Sequence, residues 1–244
     1  MNETLPSILD SATGLPIGPV LESGVTGPAP RPSPATIKGR YATIRRPDAA
    51  RDAEGLHAGS HGPEAAALWL YMSVGPFTDR QGFTAWLARV AEGADPYFYV
   101  VADPSTDEAL GLASLMRIDT AHRVIEVGNI LYTPRLQRSP AATEAMYLLA
   151  RHVFELGYRR YEWKCNALNA PSRRAALRLG FSYEGLFRRH MIIKGRNRDT
   201  AWFSMIAEEW PRNRAGFEAW LDPANFDAEG RQKSSLADLR AAAP

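Results

Sequence analysis

A chain of 244 residues with 45% apolar composition can bury a substantial core, and its size fits one domain with extensions. Twenty-nine basic residues against 27 acidic ones leave a net charge of +2, which excludes a global field drawing the molecule onto nucleic acid or membrane. The single cysteine, Cys165, excludes an internal disulfide, a zinc knuckle and a redox CxxC pair, and with no basic-apolar leader and no membrane-length apolar run the chain reads as soluble and cytoplasmic.

Residues 1–36 hold seven prolines and four glycines, the composition of an extended arm, whose apolar piece Ile17 to Leu21 is the part expected to dock. Residues 38–46 read as a short alternating strand, and Pro47-Asp48 before an Ala-rich stretch as a helix start; a second helix is expected over Gln81 to Glu92. Strands follow at Tyr97 to Ala102, Leu110 to Arg117 and Val124 to Tyr132, the first two forming a hairpin around Asp103 to Glu108. Ala142, Met146, Leu149, Val153 and Leu156 recur at helical spacing, so a helix is predicted from Pro140 to Leu156, capped by Ser139 in front and Gly157 behind.

A strand at Tyr158 to Cys165 leads to a short helix that opens near Pro171 and stops at Gly180. Strands at Phe181 to Phe187 and Thr200 to Ala207 then flank a turn at Lys194 to Asn197, and Phe217, Trp220 and Phe226 are docking residues for a C-terminal extension. This order predicts an α/β fold, a central mixed sheet with parallel strands at its centre, flanked by helices. The division expected is an arm over 1–36, a domain over 37–211 and an extension over 212–244.

The strand ending at Tyr132, the loop Thr133 to Ser139 and the helix opened by Pro140 bring backbone N–H groups to a helix N-terminus, an arrangement suited to phosphate. Between Tyr158 and Arg198 stand eleven basic residues against two acids, a net +9 that leaves −7 for the rest. Such a run is either a solvated face or an anion site, and Arg173 and Arg174 are the forks placed to meet phosphate oxygens.

The segment Tyr132-Thr133-Pro134-Arg135-Leu136-Gln137-Arg138-Ser139-Pro140-Ala141-Ala142-Thr143-Glu144-Ala145 resembles the acetyl-CoA loop of the GNAT superfamily, especially its RimJ/RimL-like branch. Asn169-Ala170-Pro171-Ser172 through Leu179-Gly180-Phe181 is similar to that family's Asn-x-x-Ser helix ending in Gly-Phe, and the resemblance covers roughly residues 38–210. Pro140 replaces the family's usual glycine and Arg138 a small residue, so the loop must sit differently.

The resemblance implies a GNAT-like fold and an acyltransferase that moves acetyl from acetyl-CoA (CoA) to a primary amine by direct attack, the acceptor being a small molecule or a protein N-terminus. It implies that Ile130, Leu131 and Tyr132 hold the pantetheine arm and that Gln137, Arg138, Ser139, Pro140, Ala141, Ala142 and Thr143 cradle the pyrophosphate. Asn169 and Ser172, with Arg173 and Arg174, complete the cofactor side. Glu126 is the first choice for base and His190 the second, its ordinary pKa suiting proton abstraction near neutrality. The tyrosine acid of many members falls at Ala176, and the branch's pattern points to Ser172 instead.

No metal is expected: His57 and His61 have helical ligand spacing, but Gly59 and Gly62 predict a loop there and no third ligand follows. Cys165 reads as a small buried hydrophobe, and Trp163 and Trp202 as core aromatics or acceptor-pocket walls. No membrane or nucleic-acid partner is expected, and a homodimer is left open. The rival functions are an acyl-CoA-binding pseudoenzyme or sensor, motivated by the missing tyrosine, and a nucleic-acid module on the +9 segment, which lacks any RNA-reading signature.

Overall fold

In the computed structural model, which describes residues 6–21, 27–33 and 36–243, eight strands form one sheet whose centre is a single parallel pair. A two-stranded ribbon, β1 (Ile8–Leu9) and β2 (Pro16–Ile17), precedes it. Strands β3 (Ile37–Lys38) and β4 (Thr43–Arg45) lead to α1 (Ala49–Ser60), α2 (Ala66–Trp69) and α3 (Arg80–Glu92). The meander β5 (Tyr97–Ala102), β6 (Ala109–Asp119) and β7 (Val124–Tyr132) follows, then α4 (Pro140–Glu155), β8 (Arg160–Asn166) and α5 (Ala170–Arg178). The hairpin β9 (Ser182–Ile193) and β10 (Arg196–Ile206) precedes α6 (Trp210–Leu221) and α7 (Leu236–Ala242). The sheet order is β3-β4-β5-β6-β7-β8-β10-β9, antiparallel everywhere except between β7 and β8.

Helices cover both faces because each presents one apolar stripe. On one face Leu56 of α1 and Phe83, Trp86 and Leu87 of α3 bury against Phe98, Val100 and Leu112. On the other, Leu148, Leu149 and Val153 of α4 pack on Tyr99, Leu115, Ile125 and Tyr161, and α6 adds Phe217 and Trp220. The expected caps form: Asp48 accepts the N–H of Ala50, Ser139 that of Ala142, and Gly157 and Gly180 end their helices at φ of +80° and +96°.

Several expectations need correction. The arm docks through Ala29, which is 4% exposed and donates its N–H to the Thr120 carbonyl at 2.9 Å, whereas Ile17, Val20 and Leu21 stay exposed. The strand expected over 38–46 is instead the tight β3–β4 hairpin, because the buried Glu144 carboxylate accepts the N–H groups of Arg40, Tyr41 and Ala42 at 2.9, 2.5 and 2.7 Å and pins the turn. Strands β9 and β10 run longer than their apolar residues suggest, joined by Lys194 and Gly195, both at positive φ (49° and 72°), as a two-residue hairpin turn requires. Finally, α1 continues through Gly59, and His57 and His61 stack at 4.1 Å between ring centroids; no metal-holding cluster occurs among the described residues.

Candidate functional site

The site originates in a bulge. Asn129 takes φ +51° within β7, the register against β6 shifts between Leu112 and Ser114, and the distortion is fixed by Ser114, whose Oγ donates to the Gly128 carbonyl at 3.2 Å and accepts from Asn129 Nδ2 at 2.9 Å. A side chain at Gly128 would collide with Met116 Sδ, 2.6 Å from the position of its Cβ. Bent there, β7 stays paired to β8 only from Val124↔Arg160 to Val127↔Trp163, although the strands run on to Tyr132 and Asn166. A wedge therefore opens in the sheet centre, where the β8-facing backbone edge of Ile130, Leu131 and Tyr132 is not used by the sheet.

The loop after β7 is drawn under this opening. Thr133 Oγ1 donates to the Leu110 carbonyl at 2.6 Å, Leu136 is fully buried, and Gln137 Nε2 donates to the Tyr132 carbonyl at 2.8 Å. The left-handed residue is Arg138 (φ +58°), so a glycine-like conformation occurs two residues before Pro140, which takes the first helical position. Ser139 Oγ donates to Leu136 O at 2.6 Å and accepts the Ala142 N–H at 3.2 Å, leaving the first-turn N–H of Ala141 to an outside acceptor.

Opposite stands α5. Asn169 caps it by accepting the Ser172 N–H at 3.1 Å, and Ser172 Oγ accepts from Trp163 Nε1 at 3.0 Å, which orients that indole in the wedge. Arg178 donates to Thr143 Oγ1 at 3.1 Å and lies over the Trp220 ring at 5.0 Å. The outer wall comes from Trp220, Phe226 and residues 230–232. Together these surfaces enclose a groove of about 820 Å³, within the usual range for a small-molecule site.

Of the residues expected on the cofactor side, Ile130, Leu131, Tyr132, Gln137, Arg138, Ser139, Pro140, Ala142, Thr143, Asn169 and Ser172 line this groove. Ala141 sits in the first turn of α4 without lining it. Arg173 and Arg174 are exposed and do not line it either; Arg173 faces the Ala167 carbonyl and the Tyr183 ring. The helix presents Ser172, Ala175 and Arg178 at three-residue spacing, and its groove-side cation is Arg178. That spacing was legible in the sequence, whereas the wall from the C-terminal extension was not.

A second cavity of about 440 Å³ shares Ile130, Trp163, Asn169 and Ser172 with the groove. Leu70, Tyr71, Met72 and Ser73 roof it, held down where Tyr71 Oη donates to Leu168 O at 3.2 Å and Lys194 Nζ to Trp69 O at 2.8 Å. Glu126, 4% exposed, lies in its lining, with Oε2 bound by Arg117 Nη1 at 3.0 Å and Lys164 Nζ at 2.9 Å. Lys164 also meets Glu162 at 2.6 Å and sits 3.8 Å from the centroid of Trp202.

His190 is not in this lining. Its Nδ1 lies 3.0 Å from Thr200 Oγ1, and partial burial, then Arg117, Arg198 and Lys164, hold its pKa below the ordinary histidine value. Cys165 is buried and its thiol is pushed up by desolvation, hence neutral and unreactive at pH 7.

A model of the acetyltransferase (GNAT) domain matches residues 42–182, more than half of the chain. The chain belongs to the GNAT acetyltransferase family. It is similar to a GCN5-related N-acetyltransferase from Brucella melitensis, with 44% identity, a TM-score of 0.86, and coverage of 89% of this chain and 99% of that one. A GNAT-family structure from Chromobacterium violaceum, described as a probable acetyltransferase, is 39% identical with a TM-score of 0.74, covering 80% of this chain and 98% of that one. A Bacillus licheniformis protein named uncharacterized N-acetyltransferase p20 is 28% identical over 144 residues, which is 57% of this chain and 80% of the relative. The bulge, wedge and helix N-terminus described above all lie inside the matched span.

Proposed function

We propose that this acetyltransferase takes acetyl from acetyl-CoA and passes it to a primary amine by direct attack. The observation that carries the reading is the wedge, where an unused strand edge at residues 130–132 runs from a helix N-terminus with a flanking arginine into a second cavity containing a carboxylate. Those donors fit a long ligand with amides along its length and phosphates at one end. When bound, acetyl-CoA supplies a thioester carbonyl for an amine to attack.

In this reading the backbone of Ile130, Leu131 and Tyr132 pairs with the pantetheine amides as an added strand, and Asn169 Nδ2, opposite the oxygen used for capping, donates to the same arm. The N–H groups of Arg138 and Ser139, with the Arg178 guanidinium, hold the pyrophosphate. A β7 N–H at Ile130 stabilises the oxyanion.

Glu126 takes the ammonium proton through Oε1, the oxygen left after Arg117 and Lys164 bind Oε2. His190 meets the cavity through Thr200 and Arg198, and through Trp202 beneath Lys164, and tunes rather than contacts the acceptor. Ser172, shared by both cavities, protonates the departing thiolate directly or through water, its Oγ accepting from Trp163 and retaining its own proton to give.

Thermal denaturation with and without acetyl-CoA, followed by thiol release over an amine panel, tests the reading. Stabilisation by the cofactor and acetylation of at least one amine are expected. Cofactor binding with no turnover of any amine would favour the acyl-CoA sensor, and no stabilisation at saturating cofactor would refute both.

A further inference from the structure

Within the acceptor cavity the charges are unequally paired. Arg117 is matched by Glu126, and Lys164 by Glu126 and Glu162; beyond the lining, Arg160 is matched by Glu162 and Glu184. Arg198 also lines the cavity and is half-buried, yet among the described residues its one hydrogen bond is from Nε to Thr200 Oγ1 at 3.2 Å. Among the described residues, both terminal nitrogens of its fork therefore lack an acceptor. Among the described residues the groups around it supply no spare anion: Cys165 is a buried thiol, and Glu126, the one lining carboxylate among them, is already shared by two other cations.

A desolvated guanidinium without a counter-charge is costly, and structures retain one where a ligand completes it. Burial holds the Arg198 guanidinium below its ordinary pKa, and the nearby Cys165 and Glu126, the latter already bound by Arg117 and Lys164, offset that only in part.

We propose that the acceptor amine carries an anionic oxyacid group, a carboxylate or a phosphate monoester, and that the free fork of Arg198 grips it bidentately. The inference rests on the acetyl-transfer reading for the location of the acceptor. Arg198 lies on β10, two residues from Thr200, which pairs with Asn166 at the end of β8, so a grip there holds one end of the acceptor at the β10 wall of a cavity that also contains Glu126. The anion fixes the orientation and the amine is left for the wedge, where Ile130, Trp163 and Ser172 mark the passage to the cofactor groove. A neutral amine entering the same cavity leaves the fork unanswered, so selectivity comes from an unpaired group that only an anionic acceptor satisfies.

The test is binding of matched amine pairs to free and CoA-saturated protein by titration calorimetry. Amino acids are compared with their carboxamides and aminoalkyl phosphates with the corresponding amino alcohols, and kcat/KM is measured for every member that turns over. The expected result is tighter binding of the anionic member of one series, and the series that prevails identifies carboxylate or phosphate. Arg198→Gln should erase that preference with a loss of roughly 10- to 100-fold, mostly in KM, while Arg198→Lys, a point charge without the fork, restores part of it.

CoA affinity and melting temperature close to wild type in both variants show that the fold and groove are intact. Equal binding of neutral and anionic members, no anionic binding at millimolar concentration, or an Arg198→Gln variant that keeps the preference each overturn the proposal. If acetyl-CoA fails to bind while anionic amines still bind through Arg198, the donor assignment falls and the anion site stands.

Discussion

Replacing Arg178 with alanine should weaken CoA binding without slowing the bound enzyme. The side chain reaches the groove from the last turn of α5, donates to Thr143 Oγ1 at 3.1 Å and covers Trp220 at 5.0 Å, so its position is set before any ligand arrives. A charge-assisted hydrogen bond to phosphate contributes about 1.5 to 3 kcal/mol when desolvated. Much of this side chain remains open to solvent, and screening at 0.15 M salt reduces that figure to about 1 to 2 kcal/mol. The expected rise in Kd is therefore roughly 5- to 30-fold. Because the phosphates do not react, the contact is equal in ground and transition states and kcat at saturation should be unchanged. Calorimetry with CoA and with dephospho-CoA measures the loss and identifies the phosphate concerned, and an Arg173→Ala/Arg174→Ala double variant serves as control, expected within about twofold of wild type. Unaltered affinity in Arg178→Ala, or an equal loss in the control, would refute this placement of the phosphates.

Glu144→Gln should destabilise the fold by about 2 to 4 kcal/mol, because an amide cannot accept three backbone N–H groups through two acceptor oxygens; a melting temperature within two degrees of wild type would contradict that role. The His190 pKa lies below the ordinary 6.5, so the imidazole is neutral at pH 7 and gains its proton as pH falls through that lowered value. If the neutral ring tunes the acceptor side, kcat/KM declines on the acid side and His190→Gln flattens that limb; an unchanged limb in a pH–rate profile would exclude it.

Elements whose causes are local could be read from the sequence. Asp48 and Ser139 accept the N–H groups that α1 and α4 leave open, and the Asp103 turn is fastened by its carboxylate, held at about pKa 2 by the Ser105 hydroxyl and then by backbone N–H groups. The motif loop was legible for the same reason, being one strand end, one turn and one cap. What was not legible depends on distant chain. The roof at residues 70–73 is held by Leu168 and by Lys194, and the groove's outer wall comes from Trp220 and Phe226, far along the chain from the loop they face. Arg173 and Arg174 match phosphate oxygens by their chemistry, but the stripe Ser172, Ala175, Arg178 decides which cation faces the groove.

The buried ions and the open wedge follow from one another. In the parallel register Glu126 stands directly opposite Glu162, a like-charge pairing that would push β7 and β8 apart. Lys164, two residues beyond Glu162 on the same face, contacts both carboxylates at 2.9 and 2.6 Å, with its side chain only 4% exposed, and converts the repulsion into a bridge. The next register pair, Val127↔Trp163, is the last before the strands part. The bridge therefore holds the apex of the wedge closed just before the Asn129 bulge forces it open, and the second cavity inherits Glu126 from that clamp. Glu126 is a structural partner of Lys164 as well as the proposed proton acceptor, so loss of kcat in Glu126→Gln would by itself distinguish nothing. The informative readout is CoA affinity: a displaced apex moves Ile130 and Leu131 and weakens the cofactor, whereas loss of a base leaves the groove as it was.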